Sequence, residues 1–132
     1  MALDIAKVRA QFPALALTDR GGPRVYLDNP AGTQVPQIVV DRMVSALIDS
    51  NANMNGNFRT SREATDISRQ AHLAMADFFN AKSENEVIFG PNMTSLTIMM
   101  TRVLASQFSP GDEIILSQME HDGNASPWRI MA

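Results

Sequence analysis

The stretch from Val87 to Trp128 limits most what this chain can become. It opens with a short apolar run, Val87-Ile88-Phe89, followed by the small polar loop Gly90-Pro91-Asn92-Met93-Thr94-Ser95. Helical spacing predicts a helix from Leu96 to Phe108, and Glu113 to Leu116 reads as a second strand. A polar turn follows, holding Gln118, Glu120, His121, Asp122 and Asn124, and a further helix is predicted from near Ser126-Pro127-Trp128. One strand–helix–strand unit with polar residues after both strands is the pattern of an α/β protein. In open α/β sheets, ligands sit outside the carboxyl ends of the strands.

The rest of the chain supplies helices and loops around that unit. Residues 4–11 can form a short helix that ends before Phe12-Pro13, and Thr18 to Pro23 is a loop by composition. Val25-Tyr26-Leu27 is a brief predicted strand. The loop after it, Asp28-Asn29-Pro30-Ala31-Gly32-Thr33, is built of small residues, so a ligand could approach its backbone closely. It also reads as an ordinary turn. After Pro36, the residues Val39, Val40, Met43, Val44, Leu47 and Ile48 fall at helical spacing. Residues 51–60 hold four Asn and a Gly, which predicts irregular backbone with left-handed positions. Such a loop either binds something or caps the helices on either side. Arg62 to Phe79 is the longest predicted helix, with Ile67, Ala71, Ala74, Met75 and Phe78 as its buried stripe and His72 off that stripe, in solvent.

Totals remove several function classes. The 132 residues suit one modest domain, and 45% hydrophobic content is enough to build a core rather than a disordered chain. A net charge of −3 leaves no basic excess to neutralise phosphates, so nucleic acid is not expected as a partner. With no Cys, a disulfide scaffold, a thiolate metal site and a Cys nucleophile within this chain are all excluded. The N-terminus mixes acid and base without a long apolar run, unlike a signal peptide. Nothing approaches the roughly 18 apolar residues of a membrane span. A soluble, cytoplasmic protein is the expectation. The chain stops inside a predicted helix, and two strands make a poor sheet. It is therefore expected to be the N-terminal piece of a longer protein.

Two places at the predicted sheet edge can carry chemistry. At Asn92-Met93-Thr94-Ser95 the first helical N–H groups lack partners and the helix dipole adds positive character, so an anion such as phosphate is held well there. Thr and Ser are also ordinary capping residues. His121 could stack on an aromatic ligand, act as an acid or base, or ligate a metal. The metal is least favoured, for the other His lies on a helix and the nearby acids lack ligand spacing.

The order LDNPAGTQVP, NANMNGNFRTS, VIFGPNMTSLT and GDEIILSQMEHDGNASPW resembles the N-terminal part of class V aminotransferases, pyridoxal-phosphate enzymes of fold type I, with the cysteine desulfurases as the nearest branch. The likeness runs from about residue 5 to the end. The resemblance implies an incomplete portion of a three-layer α/β/α large domain, with residues 1–60 as N-terminal extension and helices and 61–132 as the start of the cofactor-binding domain. It implies that Asn92, Met93 and Thr94 cradle the cofactor phosphate, that His121 stacks on the pyridine ring as the catalytic His, and that Ala31 and Gly32 line the substrate side. Asn55 falls where desulfurases carry a His near the substrate, and Gly56 where they carry an Arg. It further implies an amino-acid substrate, a homodimer for the full-length protein, and no membrane partner. The family's Schiff-base Lys belongs to later sequence. Lys7 and Lys82 lie in no matching motif, so the chain alone is expected to be inactive. Two alternatives stand beside this reading: a non-catalytic interaction fragment, and an α/β protein binding another phosphate ligand.

Overall fold

The structure, a computed structural model, describes residues 2–132 and is mostly helical. In chain order it runs α1 (Ile5–Arg9), a 3-10 turn (Pro13–Ala16), β1 (Thr18–Asp19), β2 (Gly22–Pro23), α2 (Gln37–Asp49), α3 (Arg59–Phe79), a second 3-10 turn (Glu84–Glu86), α4 (Met93–Ala105) and α5 (Asp122–Met131). The chain divides into two compact units, one up to Ala74 and one over Met75–Ala132, the boundary falling within α3.

In the first unit, β1 and β2 pair antiparallel, Thr18 against Pro23 and Asp19 against Gly22. Two residues, Arg20 (φ 50°) and Gly21 (φ 82°), join them. Positive φ at both centres is the type I′ pattern, whose twist matches that of a hairpin. Arg24 closes the hairpin with two hydrogen bonds to the Asp19 carboxylate, 2.8 and 2.9 Å. The Tyr26 hydroxyl donates to the Ala14 carbonyl at 3.0 Å, and the Gln37 amide to the Gln11 carbonyl at 2.8 Å. These bonds, rather than a core, tie the N-terminal segments together.

In the second unit, α4 packs on α5. The buried residues there are small: Thr101 from α4, and Gly123, Ala125 and Pro127 from α5. Small side chains let two helices approach closely. Pro127 sits inside α5, where its missing N–H forfeits the bond to the Gly123 carbonyl.

Three predicted strands are corrected. Among the described residues the one sheet is the β1–β2 hairpin, and residues 25–27, 87–89 and 113–116 are not strands. Val87 has extended dihedrals (φ −104°, ψ 126°), but a strand is defined by its neighbour's hydrogen bonds. No backbone hydrogen bond joins these segments to one another. The observed architecture is thus helices with a tiny sheet, where an α/β layer was expected. The predicted stripe of α3 is also corrected: Ile67 and Phe78 are exposed, and the buried residues of that helix are Ser61 and Ala76. His72 is half-buried rather than solvated, its Nδ1 donating to the Ser68 carbonyl at 2.8 Å.

Exposure explains these corrections together. The chain presents 11293 Å² to solvent, whereas a globular monomer of this length presents about 7000 Å². Every residue of α2 is at least partly exposed, including Met43, Leu47 and Ile48. The apolar periodicity is real, but within the described residues nothing covers those faces.

Candidate functional site

The site forms where α4 and α5 begin. Asn92 has extended backbone (φ −168°, ψ 168°) and caps α4, its Oδ1 accepting from the Ser95 amide at 2.8 Å. The Leu96 amide donates to the Asn92 carbonyl at 3.2 Å. The Leu96 bond is the first of the helix itself, so of the four N–H groups a helix start leaves over the cap uses only the one on Ser95. Those on Met93 and Thr94 have no hydrogen-bond acceptor among the described residues, and neither has the Thr94 hydroxyl. All three belong to exposed residues. α4 therefore starts at Met93, three residues earlier than its apolar spacing predicts, because Asn92 supplies the cap.

α5 also starts earlier than predicted. His121 caps it with both halves of the residue: its carbonyl accepts from Asn124 and Ala125 at 2.8 and 3.0 Å, and its ring Nδ1 accepts from the Gly123 amide at 3.0 Å. With the cap at His121, the turn residues Asp122, Gly123 and Asn124 become the first helical turn. The two acids beside it hold local bonds. Glu120 accepts from the His121 amide at 3.0 Å, and Asp122 accepts from the Ser126 hydroxyl at 2.5 Å. No cluster of His, Cys, Asp or Glu fit for a metal exists among the described residues.

Gly123 shows how close the two helix starts come. A Cβ placed on it would stand 3.1 Å from His121 Nδ1 and 3.3 Å from His121 Cε1, and nearer still to Thr94 Oγ1. The Thr94 hydroxyl and the His121 imidazole thus converge on one buried backbone position. Sequence reasoning missed Gly123. The signal was a glycine two residues after a candidate His, at a place where any side chain would intrude.

This geometry brings Asn92, Met93, Thr94 and His121 into one cluster. Ala31, Gly32 and Asn55 belong to the first unit. Ala31 and Gly32 lie in an exposed turn, where the Gly32 amide donates to the Asn29 carbonyl at 3.0 Å and Gln34 Nε2 to the Gly32 carbonyl at 3.1 Å. Asn55 takes a left-handed conformation (φ 66°), as the Asn-rich composition predicts. Its amide donates to Thr65 Oγ1 at 2.9 Å, and the Gly56 amide donates to Ser61 Oγ at 2.7 Å. Ser61 in turn donates to the Asn53 carbonyl at 2.5 Å and is fully buried. No hydrogen bond links residues 29–34 to Asn55. Ser61 and Thr65 were not singled out by the sequence. Two hydroxyls four apart at the head of a helix, just after an Asn run, are the trace they leave.

Two hollows lie against the other parts of α4 and α5. One, of about 470 Å³, is lined by Phe108, Gly111, Ile114 and Met131, the other, of about 330 Å³, by Ile98, Thr101, Pro127 and Ile130. Neither includes Thr94 or His121.

Two helix starts therefore meet here, one with two amides and a hydroxyl that have no partner among the described residues and the other with an imidazole. Residues 25–132 match the Aminotransferase class-V family, and the chain belongs to that family. It is 36% identical over its whole length to a protein of Vibrio cholerae named "Probable cysteine desulfurase" and to a "Cysteine desulfurase" of Serratia proteamaculans, covering 33% of each. It is 32% identical over 98% of its length to a "Probable cysteine desulfurase" of Mycolicibacterium paratuberculosis, covering 19% of that protein. The chain thus spans between a fifth and a third of the length of these relatives. No helix of the described residues is long and apolar enough to cross a membrane.

Proposed function

We propose that this chain supplies the phosphate-holding and ring-covering part of a pyridoxal-phosphate site in an enzyme that acts on an amino acid, similar to the cysteine desulfurases its relatives are named for. The observation that carries this is the pair of free amides, Met93 and Thr94, with the free Thr94 hydroxyl, next to the His121 ring. These residues fit the cofactor: three uncommitted donors at a helix N-terminus suit a phosphate dianion, and an exposed imidazole suits the face of a heteroaromatic ring. Pyridoxal phosphate, when bound, supplies a carbonyl that condenses with amines and a ring that takes up the electron pair left at the α-carbon.

The chain's residues do the holding. The Met93 and Thr94 amides and the Thr94 hydroxyl bind the phosphate. Asn92 keeps the amides aimed outward by fixing the first turn of α4. His121 covers one face of the ring and limits its rotation. Ala31, Gly32 and Asn55 belong to the substrate side in this reading, segments 87–89 and 113–116 to the α/β/α large domain of fold type I. Residues 1–60 are the N-terminal extension, and 61–132 begin that domain. The parent protein is a cytoplasmic homodimer. Neither Lys7 nor Lys82 lies in a motif that matches the family's Schiff-base Lys, so the chain alone retains cofactor without turning over.

Fluorescence tests this directly, because Trp128, the one tryptophan, sits on α5. Adding pyridoxal phosphate to the chain is expected to quench Trp128, and excess inorganic phosphate to reverse the quench. Quenching by pyridoxal, which lacks the phosphate, at the same concentration would remove the cradle from the reading. Equal affinity for inorganic phosphate and pyridoxal phosphate would favour a plain phosphate site without a ring contact.

A further inference from the structure

His121 carries two tasks on one ring. Its Nδ1 lies 3.0 Å from the Gly123 amide nitrogen, which can only donate. A ring nitrogen that accepts a hydrogen bond carries no proton, so the neutral imidazole holds its proton on Nε2. No hydrogen bond to Nε2 is formed among the described residues, and the residue is exposed. The buried backbone of Gly123 lies against the Nδ1–Cε1 edge and blocks that side of the ring. His72 makes a useful contrast. Its Nδ1 faces the Ser68 carbonyl at 2.8 Å, an acceptor, so there Nδ1 must hold the proton. The two histidines of this chain are therefore fixed as opposite tautomers by opposite backbone groups.

The geometry points to His121 as a positioning residue as well as a ring surface: the α5 cap locks its imidazole in the Nε2–H form and in one orientation. At the site it then acts as a stacking face and an Nε2–H donor. It does not act as a base through Nε2 while the cap holds, because that form would put a proton on Nδ1 against the Gly123 N–H. This deepens the proposed function and rests on it only for what the ring covers.

The tautomer is read by long-range proton–nitrogen correlation on the nitrogen-15-labelled chain, without cofactor. His121 is expected to show a protonated Nε2 and bare Nδ1, and His72 the reverse. A protonated Nδ1 on neutral His121, or an averaged pattern, overturns the proposal. Two variants separate cap from ring. His121→Asn keeps a strong capping side chain and removes the ring, and His121→Phe keeps a ring and removes the cap. Exchange of the Gly123 amide is expected to stay slow in His121→Asn and to quicken roughly fivefold in His121→Phe, the size of one lost cap. Equal exchange in wild type and His121→Phe overturns the cap. Quenching of Trp128 by pyridoxal phosphate should weaken in His121→Asn. If it does not, the ring-covering reading fails while the exchange result still decides the tautomer.

Discussion

The two loops that lead into α3 and α4 are made of similar residues and end in opposite states. Before α3, the Asn55 and Gly56 amides are both satisfied by hydroxyls of the helix itself, Thr65 and Ser61, and Ser61 is fully buried. The Arg62 guanidinium adds a bond to the Asn57 carbonyl. Before α4, Asn92 satisfies Ser95 and Leu96, while the Met93 and Thr94 amides and the Thr94 hydroxyl have no partner among the described residues. Both loops hold Asn, Gly and hydroxyl residues, so composition does not separate them. A loop whose amides are tied to hydroxyls of the helix that follows it is a brace. A loop that leaves donors outward, at the positive end of a helix, keeps them for a ligand.

Substitutions that exchange these roles should show it most clearly at Thr94. Thr94→Val removes the free hydroxyl and keeps the branched shape. Affinity for pyridoxal phosphate should fall roughly ten- to hundredfold, since a hydrogen bond to a charged group contributes about 1.5–3 kcal/mol. Its urea midpoint should shift by no more than about 0.5 kcal/mol equivalent, as for most surface changes. Calorimetry and urea unfolding together measure the pair. Unchanged affinity would mean that the loop before α4 is a brace as well.

Ser61→Ala should give the mirror result. It leaves the Gly56 N–H and the Asn53 carbonyl without partners beside a buried position, which costs about 1–3 kcal/mol of stability. Urea unfolding should register that loss while phosphate affinity stays at the wild-type value. Asn92→Ala stands between the two. Losing the cap costs about 1 kcal/mol, seen as lower helicity by circular dichroism, and it should weaken phosphate binding severalfold by letting the first turn of α4 fray.

The smallest effect belongs to the hairpin, outside both loops. The hydrogen bonds from Arg24 hold the Asp19 carboxyl below its ordinary value of 3.8, partial desolvation opposing them. A lowered folded value means that this contribution is present above 3.8 and is lost as pH falls through the lower folded value. Both partners are at the surface, so the gain is small and salt-sensitive. Asp19→Asn should flatten the acid side of the melting curve only slightly, and 1 M salt should erase the difference.

Much of the site was legible from local rules. Asn92 before an apolar run predicts a helix start, and His121 in a polar turn marks a candidate ring. The left-handed Asn55 follows from an Asn-rich loop. The helix boundaries were less legible. α5 begins at Asp122 because a histidine ring can cap a helix, and Pro127, which suggested a start near itself, is carried inside instead. Residues 25–27, 87–89 and 113–116 have the composition of strands, yet composition cannot supply the neighbour a ladder needs. Ile115 is 95% exposed, which fits a segment with no sheet beside it among the described residues.

The sequence by itself determined which stretches are helical, the family, and which residue types stand at each helix entrance. Helix formation and capping depend on bonds within about four residues, which a short stretch of chain encodes. Tertiary structure alone decided that Thr94 and His121 meet over Gly123, and that Ser61 is consumed while Thr94 is free. Both outcomes turn on which helix start packs against which backbone, a matter of distances between segments far apart in the chain.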